Sequence, residues 1–359
     1  MSETSQHIIV LGAGLIGLCT AYSLHQKGTR VTVIEAQNGP CQGTSYSNSG
    51  MIHPSQAKSW APNETATKEA STAAQVTVDL AKRSAALLQP LITSLGRPAR
   101  PNGCIQIFPN LDAARQAQTD FNSIGIRADI LLDPIETLNH PACLFPDDNS
   151  GNAKAFGNAL AADLAQKGVS FLYNIDNFAI RQNDQADLKV MAGKRHLSCD
   201  HIVLAAGHQT VSVLDQIDLR MQLDPVAGMA LDFDLPEDMS DFPSRPIMDA
   251  HSRTALTIFE DCIRISGGWN VTSAQTLLDH WEKLAPQIME RLKTPRSTWT
   301  GYRPVSPVGR PYISATSRKG VWVNTGHGHM GWTLCAGSGE LMAEMILEGR
   351  QDKRFSFVG

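Results

Sequence analysis

The sequence predicts an α/β fold, and three observations predict it. An apolar run, three spaced glycines, a helical stretch and a second strand closed by an acid fill residues 7–35. A second buried run, residues 200–204, ends in the small residues Ala205, Ala206 and Gly207. Residues 229–234, 254–259 and 262–266 have the character of half-buried antiparallel strands. A chain of 359 residues is long enough for two or three domains' worth of core.

The N-terminal unit carries the sharpest signal. Residues 8–11 are β-branched and apolar, which suits a parallel strand buried on both faces. Gly12 permits a tight turn, Gly14 lets a pyrophosphate approach the backbone, and Gly17 lets the next helix pack close on the strand. That helix, 15–27, ends at Gly28, a residue suited to a left-handed stop. Its N-terminus, at Leu15 and Ile16, presents free N–H groups to phosphate. Residues 30–35 read as the next strand, with Ala36 following. Glu35 stands 23 residues after Gly12, where a carboxylate accepts the ribose hydroxyls of an adenosine. Glycines alone are weak; strand, glycines, helix, strand and acid together specify a dinucleotide cradle. At this point FAD and NAD both remain open.

Composition removes other classes. Lys plus Arg number 31 and Asp plus Glu 35, a formal charge of −4, so no basic stripe exists for nucleic acid. The seven cysteines are odd in number, scattered and without a C-x-x-C pair, which argues against disulfides and zinc and for a reducing compartment. No metal site is expected. Residues 8–24 carry no formal charge, but glycines interrupt them and no basic segment precedes them, so neither export signal nor spanning helix is expected. The expected location is cytoplasmic, with peripheral contact at the inner membrane face left open. Residues 60–72 read as an exposed loop running into a helix. Residues 276–293 read as helical, broken or kinked at Pro286.

Five blocks resemble the FAD-dependent amino-acid oxidoreductases of the D-amino-acid oxidase superfamily, above all bacterial D-amino acid dehydrogenases and glycine/sarcosine-oxidase relatives. They are 12–35, 43–53, 150–174, 301–304 and 324–339. The resemblance implies a doubly wound, Rossmann-like FAD-binding domain in 1–80, 150–215 and 300–359. It implies a mostly antiparallel substrate domain in 81–149 and 216–299, which roofs the flavin. Thr44, Ser45, Asn48, Ser49, Gly50 and Met51 are then the loop beneath the pyrophosphate and beside the flavin, and Ala206 and Gly207 a strand end against the cofactor. Gly328, His329, Met330, Gly331, Trp332 and Thr333 turn into a helix reaching Gly349, whose first N–H groups face the flavin edge.

The implied reaction transfers hydride from Cα to flavin N5, leaving an imine that hydrolyses to a 2-oxo acid. Arg303, in Gly-Tyr-Arg-Pro, is the expected clamp on the substrate carboxylate, because a guanidinium fork matches a carboxylate with two parallel hydrogen bonds. Met51, His53 and Tyr302 are candidates for the substrate wall, although each suits packing as well, and the position of Trp269 after Gly268 invites the same role. At Trp269 the dehydrogenases tend to carry a small polar residue. His327 and His329 titrate near neutrality when free, yet a packed turn explains both equally well. Cys335 falls inside the expected C-terminal helix and 301–334 hold no cysteine, so noncovalent FAD is expected. The implied activity is dehydrogenation of a small D-amino acid or a cyclic imino acid of the D-proline or D-hydroxyproline type, with electrons passed to a quinone or carrier protein. A glycine/sarcosine-type oxidase using O2 and a noncatalytic FAD-binding subunit of a heteromeric complex are the alternatives; an NAD-dependent dehydrogenase is disfavoured.

Overall fold

The computed structural model describes residues 5–57, 68–97, 103–131, 140–183, 188–240 and 242–357. The loop expected at 60–67 lies outside them. A central sheet of six strands has the order β18 (Tyr312–Ala315), β19 (Val321–Thr325), β12 (His201–Leu204), β1 (His7–Leu11), β2 (Arg30–Ile34), β8 (Ser170–Leu172). All neighbours are parallel except β18 and β19.

β1 is apolar on both faces because both are covered. Ile8 and Val10 pack with the helices α1 (Leu15–Gln26), α2 (Lys68–Ser94), α4 (Ala153–Gln166) and α8 (Gly331–Glu348). Ile9 and Leu11 pack with α5 (Thr210–Asp215) and a three-stranded antiparallel sheet of β9 (Phe178–Gln182), β10 (Leu188–Ala192) and β11 (Arg195–Cys199). The second face therefore bears a small sheet where double winding suggests helices. Its sequence explains this: Leu188, Val190 and Ala192 are buried while Lys189 is exposed, a period of two. α1 and α8 meet backbone to backbone, since a Cβ on Gly339 would stand 2.5 Å from the Cys19 carbonyl oxygen.

The roof is an eight-stranded sheet in the order β17 (Ser297–Val305), β13 (Asp224–Phe233), β16 (Ile263–Gly267), β15 (Thr254–Ile258), β14 (Ile247–Asp249), β4 (Cys104–Ile107), β6 (Ala142–Phe145), β5 (Asp129–Leu131). Only the β14–β4 pair is parallel. The three strands expected as half-buried are here, but most residues of β13, β15 and β16 are buried. One face packs on Trp281 and Leu277 of α6 (Ala274–Leu284) and Ile288 of α7 (Pro286–Arg291), and residues of the other line a cavity. Pro286 separates α6 from α7, as its missing N–H requires. α3 (Leu111–Ser123) flanks β5 and β6, and a short pair of β3 (Met51–Ile52) and β7 (Asn149–Ser150) joins the layers. The expected domain boundaries at 80/81 and 299/300 fall inside α2 and β17, both continuous elements.

Candidate functional site

A cavity of about 570 Å³ lies between the β1–β2–β12 end of the central sheet and the roof. That is within the usual range for small-molecule sites. Its charged lining is segregated. Glu35 and Asp176 follow the strands β2 and β8, whereas Arg253 and Arg303 come from the roof.

The β1–α1 turn is built by close backbone approach. Gly12 takes φ +106°, and a Cβ there would stand 2.5 Å from the Ala205 carbonyl oxygen. A Cβ on Gly17 would collide with the Gly12 carbonyl oxygen at 1.9 Å, so Gly17 sets packing and does not line the cavity. The Leu15 N–H donates to Ser45 Oγ at 3.1 Å, which caps α1 from the following loop. Glu35 accepts from Ala13 N–H at 2.7 Å and Gln37 N–H at 2.9 Å, one per carboxylate oxygen. A carboxylate has about four acceptor positions, so capacity remains for ribose hydroxyls.

The 43–50 loop is tied to both layers. Thr44 Oγ donates to the Tyr302 carbonyl at 2.8 Å, and Arg264 donates to the Asn48 carbonyl at 3.0 Å while holding Asp232 at 2.6 Å. The Gly50 carbonyl accepts from Gly151 N–H at 2.8 Å and Trp332 Nε1 at 3.3 Å. Gly50 itself has φ +72°, and a Cβ would meet the Phe259 ring at 2.5 Å.

Arg303 sits on β17 with its guanidinium over Gly228, whose added Cβ would lie 2.3 Å from Nη1. Nη1 donates to the carbonyls of Ala227 at 3.2 Å and Gly268 at 2.9 Å. These bonds account for both Nη1 hydrogens and leave Nη2 and Nε for another acceptor. Among the described residues no carboxylate lies within ion-pair distance of it. Burial, and then repulsion by Arg253, lower its pKa to about 10.

Three histidines cluster nearby. His53 is buried, burial lowers its pKa to about 4, and its Nδ1 has no hydrogen-bond partner among the described residues. Its N–H donates to Thr333 Oγ at 3.0 Å, joining the 43–53 loop to α8. His329 Nε2 donates to the Gln56 carbonyl at 2.8 Å, and burial first, then His53, hold it neutral. His327 bonds Ser338 Oγ at 2.8 Å and is buried, which lowers its pKa to about 3. Close by, Asp148 accepts from Ser55 Oγ at 2.6 Å, and burial raises its pKa to about 7.

Of the residues singled out in the sequence, Gly12, Gly14, Leu15, Ile16, Glu35 and Ala36 line the cavity. So do Thr44, Ser45, Asn48, Ser49, Met51 and His53. Ala206, Gly207, Arg303, Gly328, His329, Gly331 and Trp332 complete that set. Gly17, Gly50 and Thr333 stand behind the wall in the supporting roles described above. Met330 is buried and lines a separate small space of about 30 Å³, as does Trp269. Tyr302 is 46% exposed and turned away, because neighbours on a strand face opposite ways and Arg303 faces in. Unanticipated lining residues include His208, Met229, Arg253, Thr254, Ser266 and Trp299. Trp299, two residues before Gly301 and four before Arg303, was findable from that same alternation.

The lining fits FAD. A glycine-built turn, a carboxylate with spare acceptor capacity, orphaned buried atoms on His53 and Asn324, and a cavity whose lining includes both Glu35 and Arg303 meet its needs. None of the seven cysteines lines the cavity. Among the described residues no helix is long and apolar enough to cross a membrane.

A family model described as FAD dependent oxidoreductase matches residues 7–345. Among solved structures, glycine oxidase from Geobacillus kaustophilus superposes with a TM-score of 0.82 at 21% identity, over 99% of this chain and 100% of that one. Iminodiacetate oxidase from Chelativorans sp. gives 0.80 at 19% identity, over 97% and 98%. L-proline dehydrogenase from P. horikoshii gives 0.78 at 16% identity, over 97% and 94%.

Proposed function

This chain belongs to the FAD-dependent oxidoreductase family, and from that premise we propose that it oxidises the Cα–N bond of a small amino acid. One observation carries the reading: a guanidinium without a carboxylate partner among the described residues, fixed by two carbonyls, lines the same cavity as the dinucleotide turn. Bound FAD supplies the two-electron oxidant. The Ala227 and Gly268 carbonyls fix the plane of Arg303, so its remaining donors meet a carboxylate in one orientation. The burial that keeps His53 and His329 neutral disfavours an ammonium at the same site, which favours the amine's uncharged, reactive form. The roof strands β13, β15 and β16 limit access of water to the site. The covalent members of the resembling family attach flavin through a cysteine, and none lines this cavity, which supports noncovalent FAD; flavin remaining on the polypeptide after acid precipitation would contradict this.

Within this class the residues 324–339 support a dehydrogenase of a D-amino acid or cyclic imino acid that passes electrons to a quinone or carrier protein. The name of glycine oxidase, borne by a similar structure, supports a second reading: an oxidase of glycine or sarcosine. The test is anaerobic bleaching of the flavin by D-, L- and N-methyl amino acids and prolines. Peroxide formation in air, compared with dye reduction under argon, then separates the two acceptors. A flavin that no amine bleaches defeats the proposal.

A further inference from the structure

We propose that the roof carries a side-chain trough beside Arg303, walled by Trp299, and that the preferred substrate is an amino acid with an apolar side chain. This rests on the amine-oxidation reading and names its substrate class.

Strand pairing defines the trough. Trp299 opposes Ala230, Ala230 opposes Ser266, Ser266 opposes Ala255, and Ala255 opposes Met248. Directly opposed residues share one face of a sheet, so these five form a single row across β17, β13, β16, β15 and β14. Trp299, Ser266, Ala255 and Met248 line the cavity. Three small residues thus lie between two large apolar ones, which stand about 19 Å apart at about 4.8 Å per strand. Ser266 Oγ is itself buried, and Met51, Met248 and Ala255 pack as one apolar cluster with Cys104. The row therefore presents mainly hydrocarbon to the cavity.

The carboxylate clamp flanks this row. Gly228 stands two residues before Ala230 on β13 and opposes Gly301 on β17. Neither has a Cβ, and both vacated places are filled. The Arg303 guanidinium lies over Gly228, and the benzo ring of Trp299 lies over Gly301, where a Cβ would collide with Cη2 and Cζ3. Ring and guanidinium thus stand over paired residues whose Cβ positions are about 5 Å apart. A carboxylate held on Arg303 sets the carbon chain behind it against the indole. Tyr46 stacks on that indole with centroids 5.9 Å apart, and the Lys154 ammonium sits 3.7 Å from the Tyr46 centroid. Trp299 is the specificity-determining residue, and Tyr46 is its positioning residue.

Simple carboxylates cannot be oxidised as amines, so they probe binding alone. Acetate, propionate, isobutyrate and isovalerate are titrated in turn into the flavin-loaded protein while the visible flavin spectrum is followed. Each added carbon should tighten binding about 3- to 4-fold, so isovalerate should exceed acetate roughly 30- to 60-fold. 3-Hydroxybutyrate, which carries a hydroxyl in place of one isovalerate methyl, should bind about 10-fold more weakly than isovalerate. Trp299→Ala and Trp299→Gln should cut the isovalerate-to-acetate ratio by about 5-fold or more. Trp299→Phe should keep most of it, and Tyr46→Ala should fall between. In parallel, valine, leucine or proline of one configuration should bleach the wild-type flavin faster than glycine. The assignment is overturned by a flat series, by 3-hydroxybutyrate matching isovalerate, or by an unchanged ratio in both Trp299→Ala and Trp299→Gln at normal flavin content. Bleaching by amino acids alongside a flat series would overturn the trough and leave amine oxidation standing. The expected series in a flavin that no amine bleaches would support the trough and remove the amine-oxidation reading.

Discussion

Arg303→Met keeps most of the aliphatic stem and removes the charge. Two effects on the apoprotein nearly cancel. Burial, and then repulsion by Arg253, lower the pKa of Arg303 to about 10. At 1.36 kcal/mol per pKa unit, holding that charge in the fold costs about 3 kcal/mol at every pH below about 10. The substitution relieves this cost. It also removes the bonds to Ala227 and Gly268, of which only the Gly268 carbonyl lacks a replacement, since Asn270 N–H already donates to Ala227 at 2.9 Å. Leaving the Gly268 carbonyl unsatisfied costs about 1.5–3 kcal/mol, and the Ala227 carbonyl keeps a donor. The apoprotein Tm should therefore move by only a few degrees either way, since each kcal/mol is worth about 2–4 °C or less at this size. The substrate tells a different story, because its carboxylate loses a desolvated partner worth about 2–5 kcal/mol. kcat/KM should fall roughly 30- to 5,000-fold. Stopped-flow reduction of the flavin and a thermal melt on the same preparation measure both. A variant that melts far below wild type yet reduces its flavin normally would show that Arg303 is a structural residue, and the clamp would be wrong.

Glu35→Gln sets an amide where two N–H donors converge and should raise the Kd for FAD about 10- to 100-fold in reconstitution of the apoprotein followed by flavin fluorescence; an unchanged Kd refutes its role. Asp148 has a folded pKa near 7 against 3.8 unfolded, so the folded state holds the extra proton between those values and stability falls as pH rises through that window. Asp148→Asn should gain on wild type by up to about 4 kcal/mol from pH 4 to pH 7, and parallel denaturation curves across that range would contradict the burial argument. Gly50→Ala forces a side chain onto φ +72° and into Phe259, so it should cost roughly 1–3 kcal/mol in denaturant unfolding and loosen flavin retention; a neutral result on both counts rejects the tether.

Local chemistry made the dinucleotide turn legible. Gly12, Gly17 and Glu35 act through neighbours in sequence or through the next strand, and the glycine stop at Gly349, φ +69°, ends α8 where the pattern placed it. The roof was harder. Strand alternation from Arg303 directs Tyr302 outward and Trp299 inward, yet treating 302 and 303 as one motif put both in the site. Arg253 was invisible because its direction depends on which end of a hairpin overhangs the cavity, a matter of pairing between β14, β15 and β16. Gly228 matters only through its cross-strand neighbours: Val226 opposes Arg303 and Gly228 opposes Gly301. The small sheet of β9, β10 and β11 has the period of two in its sequence, but nothing local says that it covers a parallel layer.

The contact between α1 and α8 has a bearing on biogenesis. β1 borders β12, β12 borders β19, and α8 lies on the first helix through its own Gly339. A nascent polypeptide that has emerged only as far as residue 300 thus has its nucleotide-binding turn but neither the last two sheet strands nor the helix that buries Ile8 and Val10. Vectorial synthesis leaves that surface bare until residues 312–348 leave the ribosome. The cavity wall formed by Thr325, His329, Gly331 and Trp332 is likewise incomplete until those residues are made, and translation stalled before that point leaves a hydrophobic intermediate for chaperones to hold.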